Sequence, residues 1–99
     1  MSNTTPTIAP TQSPDVVDSP VDDTPWVVLL HNDPVNIFSY VIRVLRKVFG
    51  YSEAKARTLT EKAHTEGKAA VWSGSREEAE KYVAILASYS LWATLVEDR

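Results

Sequence analysis

Hydrophobic positions change their period several times along this chain, and each change predicts an element. Trp26-Val27-Val28-Leu29-Leu30 is β-rich and almost continuously apolar, which predicts a well-covered strand. Asp33-Pro34 breaks the run, because proline has no N–H to donate and restrains the residue before it. Beyond it, Phe38, Val41, Ile42, Leu45, Val48 and Phe49 recur at helical spacing, with Arg43, Arg46 and Lys47 on the other side. Asn36 is suited to cap that helix and Gly50 to stop it. A second helix is expected from Ser52 as cap to Gly67 as stop. Its apolar stripe, Ala56, Leu59 and Ala63, is thin, so this helix depends on tertiary packing. Lys68 to Trp72 reads as a short strand. Ser75-Arg76-Glu77-Glu78 is a capping box, and Ala79, Tyr82, Val83 and Leu86 continue it as a third amphipathic helix. Leu91 to Val96 has the composition of a final strand, after which Glu97-Asp98-Arg99 frays.

The predicted order is βααβαβ. It implies an α+β fold: a small open three-stranded sheet with three helices packed on one face. Residues 26–99 form this core. Residues 1–25 hold Pro6, Pro10, Pro14, Pro20 and Pro25, many Ser and Thr, and no aromatic residue. Such a stretch cannot bury enough apolar surface to offset its ordering entropy, so a disordered N-terminal arm is expected. On composition it is either a functional arm or a solubilising tail.

Charge divides along the same line. The net charge is −3 over 99 residues, but Asp15, Asp18, Asp22 and Asp23 all lie in the arm, which has no Lys or Arg, and the remainder carries +1. That balance argues against general nucleic-acid binding. There is no cysteine, so a disulfide framework and a thiolate metal site are excluded and a reducing compartment is expected. No apolar run approaches the roughly 20 residues of a membrane span. The N-terminus lacks the basic and apolar regions of a secretory signal. A cytoplasmic protein acting on neither nucleic acid nor membrane is the expectation.

Candidate chemistry gathers around His31-Asn32-Asp33-Pro34-Val35-Asn36, a polar turn at the end of the first strand. The other histidine, His64, lies three residues before Gly67, at the negative end of the second helix. If the two turns meet, Asn32, Asp33 and His64 form a set of acceptors suited to an ammonium group. The competing reading has His64 bonding the last carbonyls of its own helix. A hydrolase would recruit Asp33, His64 and Ser39 or Ser75, but no G-x-S-x-G elbow is present. A metal site would use His31, His64 and Asp33, whose spacing matches no H-E-x-x-H pattern. Neither an enzyme nor a cofactor is expected.

The run from Trp26 to Val96 resembles ClpS, the N-end-rule adaptor of bacterial Clp proteases. The resemblance rests on the strand leading into Asn32-Asp33, on Val41-Ile42-Arg43-Val44-Leu45-Arg46-Lys47-Val48-Phe49, on Gly50-Tyr51, and on His64-Thr65-Glu66-Gly67-Lys68-Ala69. The last segment is close to the family's histidine–x–x–glycine–lysine–alanine signature. The resemblance implies a non-catalytic adaptor that binds proteins beginning with Leu, Phe, Tyr or Trp, the N-degron substrates. It would deliver them to a Clp ATPase of the ClpA or ClpC type. Carried over by position, Asn32, Asp33 and His64 would bind the substrate α-amino group. Phe38, Val41, Thr60, Ala63 and Leu91 would line the side-chain pocket, and residues 1–25 would match the flexible arm that enters the ATPase.

The chain departs from the family pattern at the pocket. Many ClpS members have a second Asp where Pro34 stands and Thr-Pro-Met where Asn36-Ile37-Phe38 stands, and that Met gates the pocket against β-branched residues. The family's apolar stretch before the histidine is replaced here by Thr60-Glu61-Lys62-Ala63. Phe38 is expected to narrow the pocket, and Thr60 and Ala63 to widen or polarise its floor. The alternative is a small interaction domain of the same fold that has lost N-terminal-residue recognition.

Overall fold

A computed structural model describes residues 24–98. The predicted arm, residues 1–25, lies outside the described residues except for Thr24 and Pro25. Pro25 already belongs to the fold, since its carbonyl accepts a hydrogen bond from the Asp98 N–H at 2.9 Å.

The elements keep the predicted order: β1 (Trp26–His31), α1 (Phe38–Phe49), α2 (Glu53–Glu66), β2 (Lys68–Gly74), α3 (Arg76–Ser88) and β3 (Ala93–Glu97). The strands form one open sheet, β2-β1-β3, with β1 in the middle and antiparallel to both neighbours. The helices cover one face. There Val28 and Leu30 of β1 and Ala69 and Val71 of β2 are buried in one cluster with Val41, Val44 and Leu45 of α1, Ala56 and Ala63 of α2, and Ala79 and Leu86 of α3. Burying one such Val or Leu side chain contributes roughly 1.5–3 kcal/mol.

The expectation of a well-covered first strand holds for one face only. Val27 and Leu29 are half-buried and Val96 is 42% exposed on the face without helices. An antiparallel sheet tolerates this, because only one of its faces needs a core. β1 is apolar from Trp26 to Leu30 and is the central strand, paired along both edges.

β2 runs to Gly74, past the expected end at Trp72. Its pairing with β1 shifts between Val28 and Leu29: Val28 opposes Trp72 but Leu29 opposes Ala70, so Val71 is the extra residue of a bulge. Such a bulge re-aims the neighbouring side chains. Val71 and Trp72 can then both serve the helical side, where the Trp72 ring meets Tyr82 at 4.9 Å and Tyr82 meets Phe49 at 4.8 Å. The Trp72 indole also covers Gly74, where an added Cβ would collide with it.

The helix ends agree with the sequence at most positions. Ser52 Oγ accepts from Lys55 N–H at 3.1 Å, and Ser75 Oγ accepts from Glu78 N–H at 3.2 Å. Gly50 and Gly67 both close their helices in the left-handed region. The exception is α1. Its cap is Ile37, which makes no side-chain bond, and Asn36 lies one residue too early to cap. The Asn36 amide is drawn instead to Asp33 and to the Ser90 carbonyl. The last strand also starts at Ala93 rather than Leu91, because Leu91 N–H is still bonded to Leu86 O at the end of α3.

A bulged residue is left out of the ladder, and here Tyr51 supplies a partner: its O–H donates to Val71 O at 2.6 Å. Burial, with a smaller contribution from Tyr82, raises the Tyr51 pKa above its ordinary 10.0. The neutral phenol is thus the form the fold favours. Its contribution is complete below pH 10.0 and is lost as pH rises through the raised value. Tyr51→Phe is expected to cost about 0.5–1.5 kcal/mol at pH 7, and the gap to wild type should close in strongly alkaline buffer. Urea midpoints of both proteins across that range check this; equal midpoints at pH 7 would mean the bond contributes nothing.

Candidate functional site

Two chain reversals build the site, and one hydrogen bond joins them. α2 ends at Gly67, whose positive φ of 91° lets the chain turn directly into β2 while its N–H donates to Ala63 O at 3.0 Å. β2 then pairs with β1 so that Lys68 opposes His31. One residue further, Asn32 N–H donates to Gly67 O at 2.9 Å. The polar turn after β1 is therefore fastened to the end of α2, with His64 in that helix's last turn.

The turn itself is pre-formed by Asp33. Asp33 Oδ1 accepts from Val35 N–H at 2.9 Å, an Asx-type turn, and Oδ2 accepts from Asn36 Nδ2 at 3.0 Å. The same Asn36 amide donates to Ser90 O at 2.8 Å. Tyr40 O–H donates to Tyr89 O at 2.8 Å beside it. Ser90 has a positive φ of 67°, unusual for a residue other than glycine. These bonds clamp the end of α3 against the start of α1 and set Leu91 as a buried wall, 4% exposed.

Between these segments lies a pocket of about 250 Å³. That is close to the scale of a single amino-acid residue, whereas sites for drug-sized ligands run to roughly 300–1,000 Å³. All eight residues expected at a site, Asn32, Asp33, His64, Phe38, Val41, Thr60, Ala63 and Leu91, line this one pocket. Val41, Thr60, Ala63 and Leu91 are buried, whereas Asn32 and His64 are exposed and Asp33 is half-buried. The pocket is thus apolar at depth and polar at its rim. The Thr60 hydroxyl donates to Ala56 O at 2.8 Å, within its own helix. Its polar hydrogen is used there, so the floor is less polar than the sequence suggests. Phe38 is 36% exposed at the mouth, with its ring edge-on to His64 at 6.0 Å.

Electrostatics favour a cation at the rim. Among the described residues Asp33 has no ion-pair partner; the salt bridges lie elsewhere, between Arg46 or Arg57 and Glu53 and between Arg76 and Glu80. Each carboxylate oxygen accepts one bond and keeps a further lone pair. Among the described residues no serine lines the pocket, so neither Ser39 nor Ser75 joins Asp33 and His64 there; Ser75 caps α3 instead. Among the described residues no group of three His, Cys, Asp or Glu side chains could hold a metal ion. No helix among them is long and apolar enough to cross a membrane.

The pocket also takes in His31, Pro34, Asn36 and Trp92, to which the sequence assigned no part in amine or side-chain binding. Asn36 was masked by its resemblance to a cap. Trp92 carried no local signal beyond standing next to Leu91.

Comparison with known proteins shows the family. The family model described as ATP-dependent Clp protease adaptor protein ClpS matches residues 22–94. A Streptomyces coelicolor protein, ATP-dependent Clp protease adapter protein ClpS, is 52% identical over 80 residues, covering 81% of this chain and 83% of that one. Its namesake in Rhodococcus jostii is 44% identical over 93 residues, covering 94% and 83%. Among solved structures, Agrobacterium tumefaciens ClpS2 bound to L-phenylalaninamide superposes with a TM-score of 0.67 at 27% identity, covering 77% of this chain and 99% of that one. With its strand-end Asn-Asp turn, its histidine at the close of α2 and a family match spanning most of its length, the chain belongs to the ClpS family of Clp protease adaptors.

Proposed function

We propose that this adaptor binds the free α-amino group and the large hydrophobic first side chain of proteins beginning with Leu, Phe, Tyr or Trp, and delivers them to a Clp ATPase of the ClpA or ClpC type in the cytoplasm. The observation that carries the proposal is the pairing of a pre-oriented carboxylate, without an ion-pair partner among the described residues, with an apolar pocket of single-residue size. L-phenylalaninamide, the ligand of the ClpS2 neighbour, combines a free amine with a benzyl side chain, and the two halves of the pocket suit those two groups.

An α-ammonium has three N–H donors. Asn32 oxygen, the Asp33 carboxylate and a neutral His64 nitrogen are three acceptors. The side chain would enter between Val41, Ala63 and Leu91, where burial contributes roughly 1.5–3 kcal/mol. Neither contribution suffices alone against the entropy of association. An internal Leu or Phe, which has no free amine, is therefore left unbound. With Pro34 in place of a second carboxylate, Asp33 carries the anionic part of the site by itself.

A peptide with a free N-terminal Phe should bind the full chain, and its acetylated form should not. In a folded Asp33→Ala variant affinity should drop roughly 10- to 150-fold, the range for losing a charged hydrogen bond. Calorimetry on the two peptides checks both points. Equal binding of the acetylated peptide, or none of either, would favour an interaction domain that has lost this recognition.

In this reading Phe38, which lines the pocket, excludes branched side chains by a clash. Phe38→Ala should therefore extend binding to peptides beginning with Ile and Val, since exclusion relaxes when the clash goes. A peptide panel measures this; unchanged discrimination would remove Phe38 from the gate.

In this reading a ring nitrogen of His64 accepts a bond from the ammonium. A folded His64→Ala variant should therefore bind the free-amine Phe peptide about 2- to 10-fold more weakly, the range for losing one hydrogen bond. Calorimetry measures this, and wild-type affinity in the folded variant would exclude His64 as the acceptor.

A further inference from the structure

Trp92 is 57% exposed, yet it is not free to swing. Its ring stacks on the His31 imidazole with centroids 4.5 Å apart and planes 22° from parallel. His31 is itself anchored: its Nε2 lies 2.8 Å from Thr94 Oγ1, and its backbone N–H donates to Trp92 O at 2.9 Å. The indole is thus braced by its neighbours while more than half of its surface faces water. Burial in the core does not account for it, because Trp92 is not part of the hydrophobic cluster. Its position does point to a use. Trp92 comes directly after Leu91, a wall of the pocket, and both Trp92 and His31 contribute to the lining of that pocket.

We infer that the Trp92–His31 stack is a platform for the second residue of the bound chain, and that it prefers a planar side chain there, an aromatic ring or an arginine guanidinium. The inference rests on the N-terminal-residue reading above. With the amine at Asn32 and Asp33 and the first side chain between Val41 and Leu91, the peptide must leave through the mouth of the pocket. Its second Cα lies about 3.8 Å from the first, so the second side chain emerges beside the rim residues. A braced indole loses little entropy when something stacks on it, and its face attracts both aromatic edges and guanidinium groups. Glycine at the second position would leave the platform unused.

The test compares three ligands, L-phenylalaninamide and short amidated peptides beginning Phe-Gly and Phe-Arg, on the full chain and on its Trp92→Ala and Trp92→Phe variants. Wild type should bind Phe-Arg roughly 3- to 10-fold more tightly than Phe-Gly. Trp92→Ala should abolish that ratio, Phe-Arg losing more affinity than Phe-Gly or L-phenylalaninamide. Trp92→Phe should keep part of the ratio. If wild type binds L-phenylalaninamide but does not distinguish the two peptides, the platform is overturned and the first-residue reading stands. If Trp92→Ala weakens all three ligands equally, Trp92 serves only the first residue and the platform is again overturned. If no ligand binds wild type, the first-residue reading fails and the platform fails with it.

Discussion

The site depends on the way α2 becomes β2 without an intervening loop. Gly67 takes a left-handed turn that a residue with a Cβ enters only with strain, and β2 begins at the next residue. Because β2 pairs with β1, the last turn of α2 is delivered to the far end of β1, and the Asn32–Gly67 backbone bond fastens the two. That bond is what brings His64 and Asn32 to the same rim. A side-chain contact alone would let the rim breathe. A backbone bond continuing the β1–β2 ladder ties the rim to the sheet.

The opposite rim is held differently. There is no strand ladder across it, and side chains hold it instead. Asn36 and Tyr40 each bond a carbonyl in the turn after α3, and Asn36 also bonds Asp33. One amide therefore connects the proposed amine site to the segment that ends in Leu91, the proposed side-chain wall. The proposed amine site and the proposed side-chain wall are thus mechanically joined, which suits the proposed rejection of ligands offering only one of the two groups. The left-handed Ser90 is sustained by these bonds together with its own N–H bond to Ala87 O.

The bulge in β2 solves a packing problem at the other end of the sheet. Strict alternation would let Ala69, Val71 and Ser73 face the helices. The extra residue brings Trp72 to that side, where it fills space beside Tyr82 and Phe49 that the short side chains of α2 and β2 leave open. The thin stripe of α2 is sufficient because Ala56 and Ala63 allow the helix to approach closely and are wholly or almost wholly buried.

Much of this was legible in the chain itself, because its causes are local. The period of Phe38 to Phe49, the serine caps at Ser52 and Ser75, and the glycine stops at Gly50 and Gly67 act over short stretches of chain, so they fix element type and order before any tertiary contact forms. The family signature in Asn32-Asp33 and His64 to Ala69 marked which residues to watch. What the chain could not reveal were choices among distant partners. Asn36 looks like a cap until Asp33 and Ser90 compete for its amide. Thr60 looks like a polar floor until its hydroxyl is seen bonded within its helix. Leu91 looks like strand until its N–H is found on Leu86. His31 and Trp92 stand apart in sequence and meet only because β3 adds beside β1. Local periodicity determined the parts; strand pairing, which closes long stretches of chain and sets register residue by residue, decided which side chains share a pocket.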